Sequence, residues 1–212
     1  SVVANYAVDP VRDGQVSLLD EEFAIADKLV AADESWAAAL RRRGIDYRGV
    51  LYAGLMLTAA GPKMLEYNVR FGDPECQVVV PRLSSSLTDL LSQAAAGHIE
   101  SEPTFSDDAL VTVVCAAQGY PVAPRVGDRI VGLDAARAEP GVTVMCAGVG
   151  SDRDGALVTA GGRVLSVTGR GPTLAAAREA AFRGVGCVSF PGMVVRPDIA
   201  EAAATTTSKE PA

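Results

Sequence analysis

The chain has 212 residues, 49% of them hydrophobic and 21% charged, with a formal net charge of −7. That length admits one large domain or two small ones, and the apolar fraction suffices to bury a core. The acidic balance and the absence of a dense Lys/Arg cluster argue against a nucleic-acid partner, no apolar run reaches the roughly 18 residues of a membrane span, and the N-terminal residues do not read as a signal peptide.

Residues 1–20 read as a short strand or extended piece followed by a loop at Asp13-Gly14. From Asp20 to Arg43 the alanine-rich pattern predicts a helix, with Phe23, Leu29, Trp36 and Leu40 spaced along it and Gly44 as its stop. Arg41-Arg42-Arg43 would then complement the helix dipole at its C-terminal end. Gly49–Thr58 is a near-continuous apolar strand, Ala59-Ala60-Gly61-Pro62 a turn, and Lys63–Phe71 a strand alternating with period two. Glu75–Leu83 and Leu87–Ala96 follow as helices, the second with Ser86 and Asp89 spaced as a capping box and Gly97 as its end. His98, the only histidine, falls at that solvated end. Beyond the polar stretch 100–109, short strands are expected at Val111–Ala117, Arg129–Leu133 and Val142–Cys146. Ala156–Thr159 is expected to pair with Arg163–Val167 as a hairpin across Ala160-Gly161-Gly162, and Thr173 to cap a helix through about Arg183. Cys187–Phe190 reads as a last strand, and 201–212 as a disordered tail. Cys76, Cys115, Cys146 and Cys187 form no metal-binding spacing. Set among apolar or small residues, they read as small hydrophobes of a reduced, cytoplasmic protein.

The chemistry concentrates in Lys63–Glu75. In a strand, residues two apart share a face, so Glu66, Asn68 and Arg70 line one side and Leu65, Tyr67, Val69 and Phe71 form a core face on the other. A carboxylate and an amide oxygen can supply the one or two protein ligands that magnesium ordinarily takes. Arg70 cannot bind a metal but suits a phosphate. Such a set fits phosphoryl transfer, whose catalysis is mostly positioning and charge neutralisation. Asp73 and Glu75 follow at a turn that can present them to an amine. The same Glu-x-Asn-x-Arg spacing also fits the wet face of an antiparallel sheet, and spacing alone leaves both readings open.

The string LEYNVRFGDPECQVVVPRL closely resembles the signature LEFNVRFGDPETQVVLPRL of glycinamide ribonucleotide synthetases (phosphoribosylamine–glycine ligases). YRGVLYAGLMLT and GPK upstream, and VVCAAQGYP, GDRIVGL, TAGGRVLSVT and RPDI downstream, resemble that family in the same order, from about Ile45 to Ile199. The resemblance implies an α+β chain: the C-terminal half of an ATP-grasp domain over 1–103, then a small mixed α/β C-terminal domain over 104–200. It implies a ligase of de novo purine biosynthesis that uses ATP, glycine and 5-phosphoribosylamine, with Mg2+ or Mn2+ on Glu66 and Asn68. Arg70 and Asp73 are the implied catalytic residues. Glu75 is a candidate for the substrate amine. Arg163 is a candidate for a ribose phosphate, or simply a cation after a glycine turn.

The family's complete enzyme is about twice this length, and its nucleotide-gripping N-terminal half is not recognisable here. The chain is therefore expected to be a fragment inactive by itself, a split subunit served by a separate chain, or a non-catalytic relative. The family's His-Ala-Gly-Thr stands here as Cys146-Ala147-Gly148-Val149, its Thr-Asn-Gly-Gly-Arg as Thr159-Ala160-Gly161-Gly162-Arg163, and Val195 replaces an aromatic residue.

Overall fold

The computed structural model describes residues 40, 42–58, 61–100 and 102–205, which contain both helices and strands. The extended piece expected at 1–20 and the body of the helix expected at Asp20–Arg43 lie outside them. The chain divides into two compact units, Ser1–Ser106 and Asp107–Ala212.

In the first unit, β1 (Tyr52–Thr58) and β2 (Gly61–Asn68) form an antiparallel two-stranded ribbon. Helices α1 (Cys76–Arg82) and α2 (Leu87–Ala96) follow. The expected capping of α2 is present: Ser86 accepts from the Asp89 backbone N–H, and Gly97 closes the helix at φ 83°. A left-handed residue at that place is the ordinary glycine C-cap. His98 is exposed, 3.4 Å from Glu100.

The second unit is built on a three-stranded antiparallel sheet. Strands β3 (Ala109–Ala116) and β4 (Val142–Cys146) flank β7 (Arg163–Gly171). Helix α4 (Leu174–Cys187) packs on this sheet, capped by Thr173, which accepts from the Ala176 N–H. Along β3, Val111, Val113 and Cys115 alternate into the core, and Val164, Leu165 and Val167 of β7 join them. From α4 come Ala177, Ala181 and Val185. The buried Thr168 hydroxyl donates to Thr112 at 2.9 Å, which places a polar pair within the sheet without stranding either oxygen.

Four sequence expectations are corrected in this unit. The hairpin across Ala160-Gly161-Gly162 does not form: β6 (Leu157–Thr159) pairs with β5 (Val149–Ser151), while β7 pairs with β3 and β4. The tight turn instead lies at Asp152–Ala156, where the Asp152 carboxylate accepts from the backbone N–H groups of Asp154 and Ala156. Such an Asx turn competes well with a glycine turn. The glycines instead allow close backbone approach, since a Cβ on Gly148 would stand 2.8 Å from the Gly161 Cα. Arg129–Leu133 makes only isolated bridges, from Arg129 to Val158 and from Val131 to Ser189. Gly132, at φ 85°, turns the chain instead into the helix α3 (Leu133–Ala138). Cys187 ends α4 rather than opening a strand. Glu201–Thr205 forms helix α5 with Ala203 buried, so the tail is ordered to that point, and residues 206–212 lie outside the described residues.

The cysteines also separate. Cys115 is fully buried, and burial pushes its thiol up to about 12, whereas Cys146 is exposed rather than set in the core. A colourless disulfide reagent at pH 8 is therefore expected to modify Cys146 in the native chain and Cys115 only after unfolding, since the thiolate is the reactive form. Mass mapping of the modified peptides checks this, and rapid native labelling of Cys115 would contradict it.

Candidate functional site

The ribbon positions the residues singled out for chemistry. Tyr52 lies opposite Asn68, and Gly54 opposite Glu66. Directly opposed residues in an antiparallel pair share a face, so these four stand together. The Asn68 Nδ2 donates to Glu66 Oε1 at 2.8 Å, which brings the carboxylate and the amide into contact. Gly54 makes room for them: a Cβ there would lie 3.2 Å from Glu66 Cγ.

The rest of the strand departs from simple alternation. Between Glu66, opposite Gly54, and Met64, opposite Leu55, the register shifts and leaves Leu65 as an extra residue. β2 also ends at Asn68 rather than running to Phe71. Arg70 therefore stands in the bend beyond the strand, exposed, with Nη1 donating to the Phe71 carbonyl at 3.1 Å. The face expected to be core is open: Leu65 is 60% and Val69 67% exposed, and Tyr67 and Phe71 are half-buried. Among the described elements, β1 and β2 make extensive contact only with each other, and an isolated ribbon cannot bury both faces.

Past the bend, Asp73 and Glu75 precede α1. The exposed Asp73 carboxylate accepts from Gln77 Nε2 at 2.8 Å. Glu75 is half-buried, and its Oε1 accepts from the Tyr52 hydroxyl at 3.4 Å. Tyr52 is only 7% exposed. Burial first, then the Glu75 carboxylate and its hydrogen bond, and then Glu66, push the phenol up to about 12, while the Arg70 cation opposes them. Tyr52 and Gly54 thus border the candidate residues, and the sequence reading did not single them out. Both lie within the YRGVLYAGLMLT string, but only the register shows that they stand opposite Asn68 and Glu66.

Glu66 and Asn68 carry donor types that suit a hard divalent cation, a carboxylate and an amide, although in the contact present it is the Asn68 nitrogen that faces the carboxylate, so the amide oxygen is left to other ligands. Among the described residues, no group of three or more His, Cys, Asp or Glu side chains could hold a metal ion. A cage made wholly of protein side chains is therefore not what these residues provide.

Arg163 belongs to the second unit. Its Nε donates to the Tyr120 hydroxyl at 2.9 Å, with the guanidinium carbon 6.0 Å from the ring centroid. Gly162 admits that ring, because a Cβ there would stand 2.4 Å from Tyr120 Cδ2.

Comparison with known proteins fixes the ancestry. Residues 22–76 match the ATP-grasp (A) domain of phosphoribosylglycinamide synthetase, and residues 110–202 match its C domain. The chain belongs to the phosphoribosylglycinamide synthetase family. It is 49% identical over 169 residues to a phosphoribosylamine–glycine ligase of Streptomyces coelicolor, an alignment covering 78% of this chain and 40% of that protein. A ligase of the same description from Caulobacter vibrioides is 44% identical over 184 residues, covering 82% of this chain and 42% of the relative. The chain thus spans about two-fifths of the length of the curated synthetase relatives it matches. The crystal structure of phosphoribosylamine–glycine ligase from Thermotoga maritima superposes with a TM-score of 0.71 at 36% identity, over 88% of this chain and 45% of that one. N5-carboxyaminoimidazole ribonucleotide synthetase from the same organism shares the fold at a TM-score of 0.57 and 16% identity, over 82% of this chain and 43% of that one. The synthetase's A-domain match contains Tyr52, Glu66, Asn68, Arg70, Asp73 and Glu75, and its C-domain match contains Arg163. No helix among the described residues is long and apolar enough to cross a membrane.

Proposed function

We propose that this chain is the C-terminal portion of a phosphoribosylamine–glycine ligase of purine biosynthesis. It carries the second part of an ATP-grasp domain over 1–103 and a C-terminal domain over 104–200. The reaction joins glycine to 5-phosphoribosylamine and cleaves ATP to ADP and phosphate. The glycine carboxylate attacks the γ-phosphate to form glycyl phosphate, and the amine then displaces phosphate to form the amide. The observation that carries this reading is the contact between Glu66 and Asn68 on β2, within the segment matching the ATP-grasp domain.

Glu66 and Asn68 would hold Mg2+ or Mn2+, which neutralises phosphate charge when bound. Arg70, on the bend beyond β2, suits the oxygens of the migrating phosphoryl group. Asp73 and Glu75 supply carboxylate acceptors for the amine of glycine or phosphoribosylamine. Arg163, braced by Tyr120, is a cation suited to a ribose phosphate. The compartment is the cytoplasm.

A second reading is that the chain works with a separate chain supplying the rest of the ATP-grasp fold, or binds metal phosphate without turnover. The open apolar residues Leu65 and Val69 favour a covering partner. Both readings are tested by phosphate release from ATP with glycine and phosphoribosylamine. The chain alone is expected to fall more than about a hundredfold below the same chain assembled with the N-terminal portion of the Streptomyces coelicolor relative, because positioning the nucleotide needs both parts. Comparable glycine-dependent turnover by the chain alone would refute the division of labour. An inactive assembly that still binds Mn2+ would favour the non-catalytic reading.

A further inference from the structure

The half-buried Glu75 folds back on the chain. Its Oε1 is 3.4 Å from the Tyr52 hydroxyl, and its Oε2 occupies space that only a glycine at position 72 leaves, since a Cβ on Gly72 would lie 2.3 Å from it. Tyr52 reaches Glu75 from β1, where it stands opposite Asn68. Its ring also borders the ground beneath Glu66: a Cβ on Gly54 would lie 3.8 Å from Tyr52 Cε1 and 3.2 Å from Glu66 Cγ. One buried aromatic side chain therefore joins the strand that carries Glu66 and Asn68 to the turn that carries Glu75.

We propose that Tyr52 is a positioning residue that acts through Glu75, its hydroxyl holding the carboxylate folded back over Gly72 as a fixed acceptor for the primary amine of the substrate. The identity of that amine rests on the ligase reading above, whereas the contact rests on geometry alone. At 3.4 Å the hydroxyl–carboxylate contact is long, the usual range being about 2.5–2.7 Å. Contacts of this kind tighten when reacting groups arrive. Phenylalanine at position 52 keeps the ring and its seat on the ribbon and removes only the donor. Alanine at position 72 tests the same element from the other side, because it displaces the Glu75 side chain without touching Tyr52.

Two measurements decide the matter. In the chain alone, labelled with 13C at the glutamate carboxylates, the Glu75 resonance is assigned by its loss in E75Q. It is expected to shift in Y52F and in G72A, while the Glu66 resonance stays in place. In the chain assembled with the N-terminal portion of a relative, Y52F is expected to raise KM for the amine substrate that Glu75 holds, glycine or phosphoribosylamine, about tenfold and to leave KM for ATP within about twofold. The double variant Y52F/E75Q should be no worse than E75Q alone, because the two groups act as one unit. An unmoved Glu75 resonance, additive losses in the double variant, or equal rises in KM for ATP and amine would overturn the proposal. If the assembly shows no glycine-dependent turnover, the ligase reading fails separately, and the Glu75 resonance still decides whether Tyr52 holds that carboxylate.

Discussion

Replacing Glu66 with glutamine is expected to weaken Mn2+ binding to the chain by at least about 10–100-fold, the scale seen even for groups that only support a metal ligand. In the chain assembled with a relative's N-terminal portion, the proposed glycine-dependent phosphate release should fall by more than about a hundredfold. The substitution is nearly isosteric. It keeps an oxygen able to accept from Asn68 Nδ2, so the 2.8 Å contact and the ribbon survive. What disappears is the negative charge, and a hard divalent cation with only two protein ligands depends heavily on it. Asn68→Ala removes the neutral oxygen and should cost less affinity than E66Q. D73N should leave Mn2+ affinity unchanged, because Asp73 is engaged by Gln77 in the turn rather than by the Glu66–Asn68 pair. Electron paramagnetic resonance of free Mn2+ reads all three variants on the chain alone. Unchanged affinity in E66Q would remove the carboxylate from the metal site and leave Glu66 as the wet side of a ribbon.

That Glu66 and Asn68 share a face was legible because period two needs nothing beyond neighbouring residues. Arg70 was not placed correctly, since β2 stops at Asn68 and alternation loses its force once the strand ends. Tyr52 was hidden for a deeper reason. Counting back symmetrically from the turn pairs Gly54 with Leu65, and only the bulge at Leu65 moves Gly54 opposite Glu66 and Tyr52 opposite Asn68. A slip of one residue exchanges the two faces, and no local pattern announces it. The caps of α2 and α4 were readable at Ser86, Gly97 and Thr173 because capping is a contact over three or four residues. The β5–β6 pairing was not, since a glycine pair and an Asp-containing turn each fit a hairpin, and the choice between them depended on which strands lay beside β7. Likewise, the buried side of Leu65 and Val69 was inferred from alternation and apolarity, yet burial requires a second element to cover the face.

Gly169→Ala is expected to destabilise the second unit by about 3 kcal/mol or more, at the upper end of the cost of overpacking. Gly169 sits in β7, paired on one side with Val111 and on the other with Val142. A Cβ there would stand 2.2 Å from both the Ala177 carbonyl oxygen and the Ala181 nitrogen. Both atoms are backbone of α4, so no rotamer change can relieve the clash. The helix must lift away from the sheet, and the cluster of Val113, Val167, Ala177 and Ala181 beneath it opens. Alanine has no conformational difficulty at this position, since Gly169 is not among the residues with positive φ. The cost is therefore one of packing. Gly186→Ala, in the same helix, provides the opposite case: nothing lies within 4 Å of its Cβ position, and φ is ordinary. Relieved of glycine's backbone entropy, that variant should gain up to about 1 kcal/mol. For a unit of this size each kcal/mol moves Tm by about 4–8 °C, so the two variants should bracket the parent chain by well over 10 °C between them. Thermal unfolding followed by far-ultraviolet circular dichroism separates them. A G169A chain melting within a degree or two of the parent would mean that α4 is not seated on β7, and the core that supports Arg163 at the start of that strand would have to be rebuilt from other contacts.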